Sequence, residues 1–546
     1  MSRWTAAGLF CLLLLAGCGQ GRRIAEAESV GDAPSAGPDH VVPVSFVQPR
    51  DALDEALAMN SSRFPMPPAD FEPGTVSPLE FDARVRSTKV GFTIQMPSGS
   101  PIPTPTLYRG RLYVGGGFSS KEFYCFNAVT GDYEWGVSLS DDGPSTAVAS
   151  DDSIIFNSES CTIFALDATK GTLRWAHYMG DPMMSAPSAA DGRVFAVYPQ
   201  APEDSESVRG ADTESNSPTG LQPTYIVACL DAQSGNVLWR RWIDGDCISA
   251  PVVAGGDLHL ATLPGTLYRF RVSDGEILGA WHARATSAPA LADNRVFFTR
   301  RTDAPGSAPT EAIVGMNRSD SFVSLVAMNR PAPYLDRVIQ ESSAATTSAN
   351  RAESVNGIGG GFGGGFNSVP DHVSLADTSG AESPQPESEE APQDVFAAGD
   401  SLALPPDPLA VQQQKAADNV GLGNVSTLQA FHGSRIIHVA GRNYNCMGDE
   451  LICSSAESGD RLWAVRLSGN LKELGGHLAA PPVWSDGNLF VATVVGDVLQ
   501  IDATSGTVKA RHEVGSELRY PPLVAEGRLY VSTQDGKVVC IRVGAE

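Results

Sequence analysis

Short runs of β-branched, aromatic and aliphatic residues recur along the chain, each preceded by a turn signal of Gly, Asp or Asn. They are Leu112-Tyr113-Val114, Ile154-Ile155-Phe156, Val194-Phe195-Ala196 and Leu258-His259-Leu260, then Val296-Phe297-Phe298, Ile436-Ile437-His438, Leu489-Phe490-Val491 and Leu529-Tyr530-Val531. Turns precede them at Gly110-Arg111, Gly192-Arg193, Asn294-Arg295 and Gly527-Arg528. From first residue to first residue the spacings are 42, 40, 64, 38, 140, 53 and 40. Two large insertions therefore interrupt a period of about 40, the length of a four-stranded blade in a β-propeller. The pattern predicts an all-β, eight-bladed ring in which each run is a second strand.

Two further signals keep the same period. About 20 residues after each run comes a turn with a tryptophan behind it: Asn127 to Gly131 with Trp135, Asp167 to Gly171 with Trp175, Asp231 to Gly235 with Trp239, and Ser455 to Gly459 with Trp463. Asp502 to Gly506 repeats the turn, with Ala510 in place of the tryptophan. This predicts a hairpin between third and fourth strands: the acid or amide caps the turn, Gly takes the positive φ, and Trp packs between blades. Small residues lead into the innermost strands at Ser185-Ala186-Pro187, Ser249-Ala250-Pro251, Ser287-Ala288-Pro289 and Ala479-Ala480-Pro481. The fifth unit is degenerate, running from Ala288 through Ile313 to Met316 and then Phe322 to Val326. The last unit has strands near Leu523, at Leu529 to Ser532 and at Lys537 to Val543, and lacks a fourth. Phe92-Thr93-Ile94-Gln95-Met96 alternates apolar and polar residues just before the first unit. It is placed to be the missing strand, closing the ring and leaving no free edge there.

The D-A-x-[ST]-G-x-x-x-W pattern resembles the pyrroloquinoline-quinone (PQQ) type propeller repeat and covers residues 90–546. Polar, acidic residues 201–222 break the third unit. Residues 341–424, with a glycine run from Gly357 to Phe366, separate units five and six. Neither insertion has helix or strand periodicity, and the longer one is expected to be disordered. The glycine run is not a phosphate loop, because no strand leads into it and no Lys-Ser/Thr ends it.

The N-terminus carries an address. Arg3 precedes an uncharged apolar run from Trp4 to Ala16, shorter than the roughly 20 residues of a spanning helix. Leu15-Ala16-Gly17-Cys18 resembles the lipobox of bacterial lipoproteins. That resemblance implies a signal peptide over 1–17, lipid on the Cys18 thiol, and cleavage before it. Gly19 follows rather than Asp, so the resemblance also implies outer-membrane sorting, with the protein facing the periplasm. Residues 18–89 contain Pro65, Pro67, Pro68, Pro73 and Pro78 and read as a flexible tether. Within it, Asp51 to Met59 reads equally as a short helix or a transient turn.

Charge and composition narrow the function. The chain has 39 Lys and Arg against 63 Asp and Glu, a net charge of -24, which excludes a general nucleic-acid binder. Most of the excess sits in 18–89, 201–222 and 341–424, leaving about -7 on the remaining ring. Nine cysteines in 546 residues do not make a disulfide scaffold. Cys125, Cys229, Cys453 and Cys540 share one register position and read as small buried side chains. Cys446 and Cys453 are close enough for a hairpin disulfide, a pairing left open.

No catalytic, cofactor-binding or metal-binding residue is assigned. The PQQ-type repeat raises a quinone-dependent dehydrogenase, or another channel-mouth enzyme or cofactor binder, as the alternative. The adjacent cysteines of that dehydrogenase family and a Cys-x-x-Cys-His haem site are both missing from the sequence. His259 and His438 fall in second-strand runs, and no histidine pair has metal-ligand spacing. Asp141-Asp142 and Asp151-Asp152 read as solvated loop charges. With its lipobox and eight repeats, the chain is similar to the BamB family of outer-membrane assembly lipoproteins. That similarity implies a monomeric, non-catalytic scaffold whose partners are envelope proteins: a β-barrel assembly machine or unfolded barrel proteins.

Overall fold

A computed structural model describes residues 48–81, 84–159, 162–180, 185–200, 221, 223–292, 294–302, 310–319, 323–331, 419–420, 434–471 and 477–543. Cys18 and the signal peptide, Cys161, the loop at 201–222 except Leu221, and the insertion at 341–424 except Asn419 and Val420, lie outside the described residues. The β-strands form eight antiparallel sheets. Seven blades take four consecutive strands each, and the eighth takes three from the C-terminus and one from the N-terminus. The chain is thus an eight-bladed propeller.

The turns explain why each blade folds. First and second strands are joined by two-residue hairpins such as Arg109-Gly110, both at positive φ, the twist that matches paired strands. Between third and fourth strands the Asp side chain closes the turn: Asp167 Oδ1 accepts from the backbone N–H of Thr169 and Lys170, both at 3.0 Å. Gly235 sits there at φ +73°, and a Cβ on it would lie 2.6 Å from Trp175 of the preceding blade. Each such hairpin carries a one-residue bulge, after Cys125, Ala165, Cys229, Arg269, Gly315, Cys453 and Gln500. Blade 8 has none after Cys540, because its fourth strand arrives from elsewhere in the chain.

In five seams a carbonyl of the next blade's turn ties neighbouring blades together. In blade 2 the Trp175 indole donates to Ala232 O at 3.1 Å, and in blade 3 Trp239 donates to Val272 O at 2.9 Å. Blades 1, 6 and 8 carry a tyrosine on the second strand instead. Tyr113 donates to Ala168 O (2.8 Å), Tyr444 to Ala503 O (3.1 Å) and Tyr530 to Ala128 O (2.8 Å). With the carbonyl already taken, the indole N–H groups of Trp135 and Trp463 have no hydrogen-bond partner. The four equivalent cysteines pair across the sheet with Tyr113, Phe195, Tyr444 and Tyr530, and all are buried thiols. Cys446 pairs with Leu451 and Cys453 with Tyr444, two positions apart, and both are free thiols.

Unit six corrects the sequence register. Ile436–Val439 is its first strand, and Arg442–Met447 is its second. The hairpin at Ala440-Gly441 supplies the turn that precedes Asn443-Tyr444-Asn445, so the true second strand starts seven residues later than expected. His438 consequently stacks on Phe297 of blade 5 from a first strand (5.2 Å between centroids).

The expected tether is corrected from residue 48 onward, because that segment is built into the ring. Gln48 uses its side-chain amide like a peptide group on blade 5: Oε1 accepts from Val323 N (2.9 Å) and Nε2 donates to Val323 O (3.3 Å). β1 (Arg50–Asp51) pairs with the fourth strand of blade 4. The helix α1 (Leu53–Met59) buries Ala56 and Met59 against blades 3 and 4. Asn60 then repeats the amide device on blade 3, accepting from Trp242 N (2.8 Å) and donating to Trp242 O (3.0 Å). β2 (Glu72–Pro73) edges blade 2, and β3 (Val76–Pro78) edges blade 1. β4 (Arg84–Thr88) edges β5 (Gly91–Gln95), the strand expected near 92–96, which pairs with Lys537–Arg542 and closes the ring. The segment runs backward around the rim from blade 5 to blade 8. Its prolines fit because an outermost strand leaves N–H groups that need no partner.

Candidate functional site

In blades of this topology the two hairpin turns of each blade lie on one face of the ring. The second-to-third-strand loops and the connections between blades lie on the other. Both insertions leave from that second face: residues 201–222 fall in the second-to-third loop of blade 3, and 341–424 fall in the connection from blade 5 to blade 6. Among the described residues the hairpin face carries tight turns, and both long insertions fall on the connection face.

Four of the second-to-third-strand loops on that face, those of blades 2, 4, 7 and 8, are locked locally. A hydroxyl at the first position of each accepts from the backbone N–H four residues on: Ser158 from Thr162 (2.9 Å), Thr262 from Thr266 (3.2 Å), Thr493 from Asp497 (3.2 Å) and Thr533 from Lys537 (2.9 Å). An acid from the preceding blade clamps two of these loops. Asp141 accepts from Ser158 Oγ (2.5 Å), Thr162 Oγ1 (2.7 Å) and Thr162 N (3.2 Å). Asp244 accepts from Thr262 Oγ1 (3.0 Å), Thr266 Oγ1 (2.6 Å) and Tyr268 Oη (3.1 Å). Asp141 is therefore a seam clamp, which corrects its reading as a solvated charge. Asp151 and Asp152 do occupy an exposed hairpin turn, where Asp152 meets Arg109 of blade 1.

Like charges gather at two places around the mouth. Glu159, beside Asp142 and Asp141, has its carboxyl pushed up to about 7, chiefly by burial. On the other side burial and the neighbouring Arg284 push the Arg300 guanidinium down. Between them lies a buried ion pair, Arg435 to Glu311 at 2.9 Å with side chains 7% and 3% exposed, and Thr286 donates to the same carboxylate at 2.5 Å. Burial and Arg435 push His477 down to about 3. Tyr520 of blade 8 is pushed up by burial and by the Glu159 carboxylate of blade 2. The far end of the long insertion is pinned here as well. Asn419 Nδ2 donates to Leu263 O (3.1 Å) and Ala285 O (2.6 Å), and Val420 is buried at the seam of blades 4 and 5. Apolar Phe118 and Val495 stay exposed on loops of blades 1 and 7.

Sequence spacing did not bring these groups together, since each sits on a different loop. The one sequence-assigned residue, Cys18, lies outside the described residues. Among the described residues there is no cluster of three His, Cys, Asp or Glu that could hold a metal ion.

The sequence matches the family model described as outer membrane protein assembly factor BamB at residues 119–216, 224–320 and 447–543, together more than half of the chain. The chain belongs to the BamB family. Each matched stretch spans roughly two blades of the observed ring. No curated protein matches it. Among solved structures, BamB from Moraxella catarrhalis is 13% identical, covering 88% of this chain and 99% of its own, at a TM-score of 0.35. The quinohemoprotein alcohol dehydrogenase ADHIIG from Pseudomonas putida HK5 is 10% identical, covering 83% of this chain and 76% of its own, at 0.46. The computationally designed Ika8 protein is 10% identical, covering 82% and 98%, at 0.48. All three scores lie below 0.5, so membership rests on the family match and the eight blades.

Proposed function

We propose that this BamB-family ring is a non-catalytic scaffold, held to the outer membrane by lipid on Cys18, that binds partners in outer-membrane protein assembly through its connection face. The family match carries the reading. Both insertions leave from that face, four of its loops are locked by hydroxyls, and Phe118 and Val495 are exposed on it, which supports the choice of surface. A face of fixed loops over a rigid ring is suited to recognising other proteins. Crosslinking in the cells that make the protein, followed by identification of the captured proteins, tests the proposal. Recovery of outer-membrane assembly components is the expected result. Recovery of no envelope protein overturns it, as does dye reduction on alcohols or sugars after reconstitution with PQQ and calcium, which would make the chain an enzyme.

A further inference from the structure

Three positions on the second and third strands of each blade press against the preceding blade, and they are apolar in every blade but one. In blade 1 they are Leu112, Val114 and Phe126, and in blade 2 Ile154, Phe156 and Leu166. The strand pairing aligns apolar residues with them in blades 3, 4, 5, 7 and 8 as well. Blade 6 has Asn443, Asn445 and Ser454 there, and all three are 0% exposed.

The pairing fixes where they point. Residues directly opposite one another share one side of a sheet, and so do residues two apart on a strand. Asn445 lies between Ile436 and Ile452, which pack with Phe297 and Ile313 of blade 5. Asn443 lies beside His438, which stacks on Phe297. The polar group is therefore in the seam between blades 5 and 6. His438 Nδ1 donates to Asn443 Oδ1 at 2.8 Å. Asn443 Nδ2, both amide atoms of Asn445 and Ser454 Oγ have no hydrogen-bond partner among the described residues. The facing surface of blade 5 is built from small residues. Gly315, paired with Phe297, stands where blades 1, 3, 6 and 8 carry a buried cysteine, and Ala290 and Ala292 come from the inner strand.

We propose that the seam between blades 5 and 6 binds a cluster of ordered water molecules, held by Asn443, Asn445 and Ser454. The chemistry selects water over an ion. An amide nitrogen only donates, an amide oxygen only accepts, and a hydroxyl does both. A cation would leave the two Nδ2 groups unserved, and an anion would leave Asn445 Oδ1 unserved. A ligand that serves all of them inside a closed seam is small, neutral, and both donor and acceptor, which describes water. Such water takes the place of the apolar contact that joins blades 1 and 2. Separating blades 5 and 6 thus loses less apolar burial, and the strands beside this seam open to solvent more readily.

A crystal structure of the full chain at a resolution that shows water, together with hydrogen exchange, tests this. Water density within hydrogen-bond distance of Asn445 is expected. Amides of Arg442–Met447 and Glu450–Ser455 should exchange at least ten-fold faster than those of Arg111–Gly115 and Glu122–Asn127, the same strands of blade 1. Two variants install the residues of blade 1: Asn445→Val alone, and Asn443→Leu with Asn445→Val. Each should slow exchange in the blade 6 strands ten-fold or more and leave blade 1 unchanged. A seam without water at Asn445 overturns the proposal. So does exchange in blade 6 that matches blade 1, or that neither variant slows.

Discussion

Replacing Trp175 with Phe should cost more than replacing Trp135 with Phe, although the two are equivalent in the repeat and similarly buried, at 7% and 9% exposed. Both substitutions trade an indole for a smaller ring against the next blade's turn, so their packing losses nearly cancel. The hydrogen bonds do not. Trp175 is the donor to Ala232 O, and position 155 is Ile, with no hydroxyl to substitute for it. Trp135 makes no hydrogen bond, because Tyr113 already serves Ala168 O. A buried carbonyl left without a donor costs about 1–3 kcal/mol, so Trp175→Phe should lose that much more than Trp135→Phe. Equilibrium unfolding in urea, with the midpoint and slope compared for both variants, measures the difference. Tyr113→Phe in the Trp135→Phe background should restore the penalty, since it removes the side-chain donor to Ala168 O. Equal losses within about 0.5 kcal/mol, or a larger loss for Trp135→Phe, would refute the shared-carbonyl rule.

Other consequences can be measured on the same protein. Glu311→Gln leaves Arg435 buried without its counter-ion and should cost about 3–5 kcal/mol, whereas the double change Glu311→Leu with Arg435→Met should be near neutral. The Glu159 carboxyl is raised from 4.5 to about 7 in the fold, so the unfolded chain loses this proton first and stability falls as pH rises through that interval. Glu159→Gln should remove roughly 2 kcal/mol of that slope, less than the full shift because solvent still screens the group. His259, lowered from 6.5 to about 4, acts in the opposite sense: stability falls as pH drops from 6.5 toward 4, and His259→Leu should flatten that limb of the unfolding profile. Burial pushes the Cys229 thiol up to about 12 and those of Cys453 and Cys540 up to about 11, so these three should resist a thiol reagent until the ring is unfolded.

The repeat was legible because its decisive interactions are local. An Asp that caps its own turn and a Gly at positive φ mark the sequence wherever the turn occurs, and the tryptophan follows at fixed spacing. Closure by Phe92 to Met96 was legible as a missing strand at one end and a spare one at the other. Unit six misled because Ile436-Ile437-His438 is as apolar as a second strand, and only the turn at Ala440-Gly441 separates the two. The rim segment was illegible from 48 to 88 for a different reason. Its strands are two to five residues long and broken by proline, and the partners of its first three are blade edges from about 60 to more than 200 residues away. Gln48 and Asn60 pair through side chains, which leaves no periodic trace. The mouth was hidden because Glu159, Glu311, Arg435, His477 and Tyr520 meet only once the ring closes. The two insertions could be seen in the sequence, but their common face could be seen only in the strand order.

The central claim, that this chain works by binding assembly partners on its connection face, is tested most directly by photocrosslinking from single positions in living cells. A photoreactive residue replaces Phe118 or Val495 on the connection face, or Val129, which is exposed on a hairpin turn of the opposite face. Adducts to outer-membrane assembly proteins from Phe118 and Val495, and not from Val129, are predicted. Adducts from Val129 alone, or no envelope adduct from either connection-face position, would contradict the account.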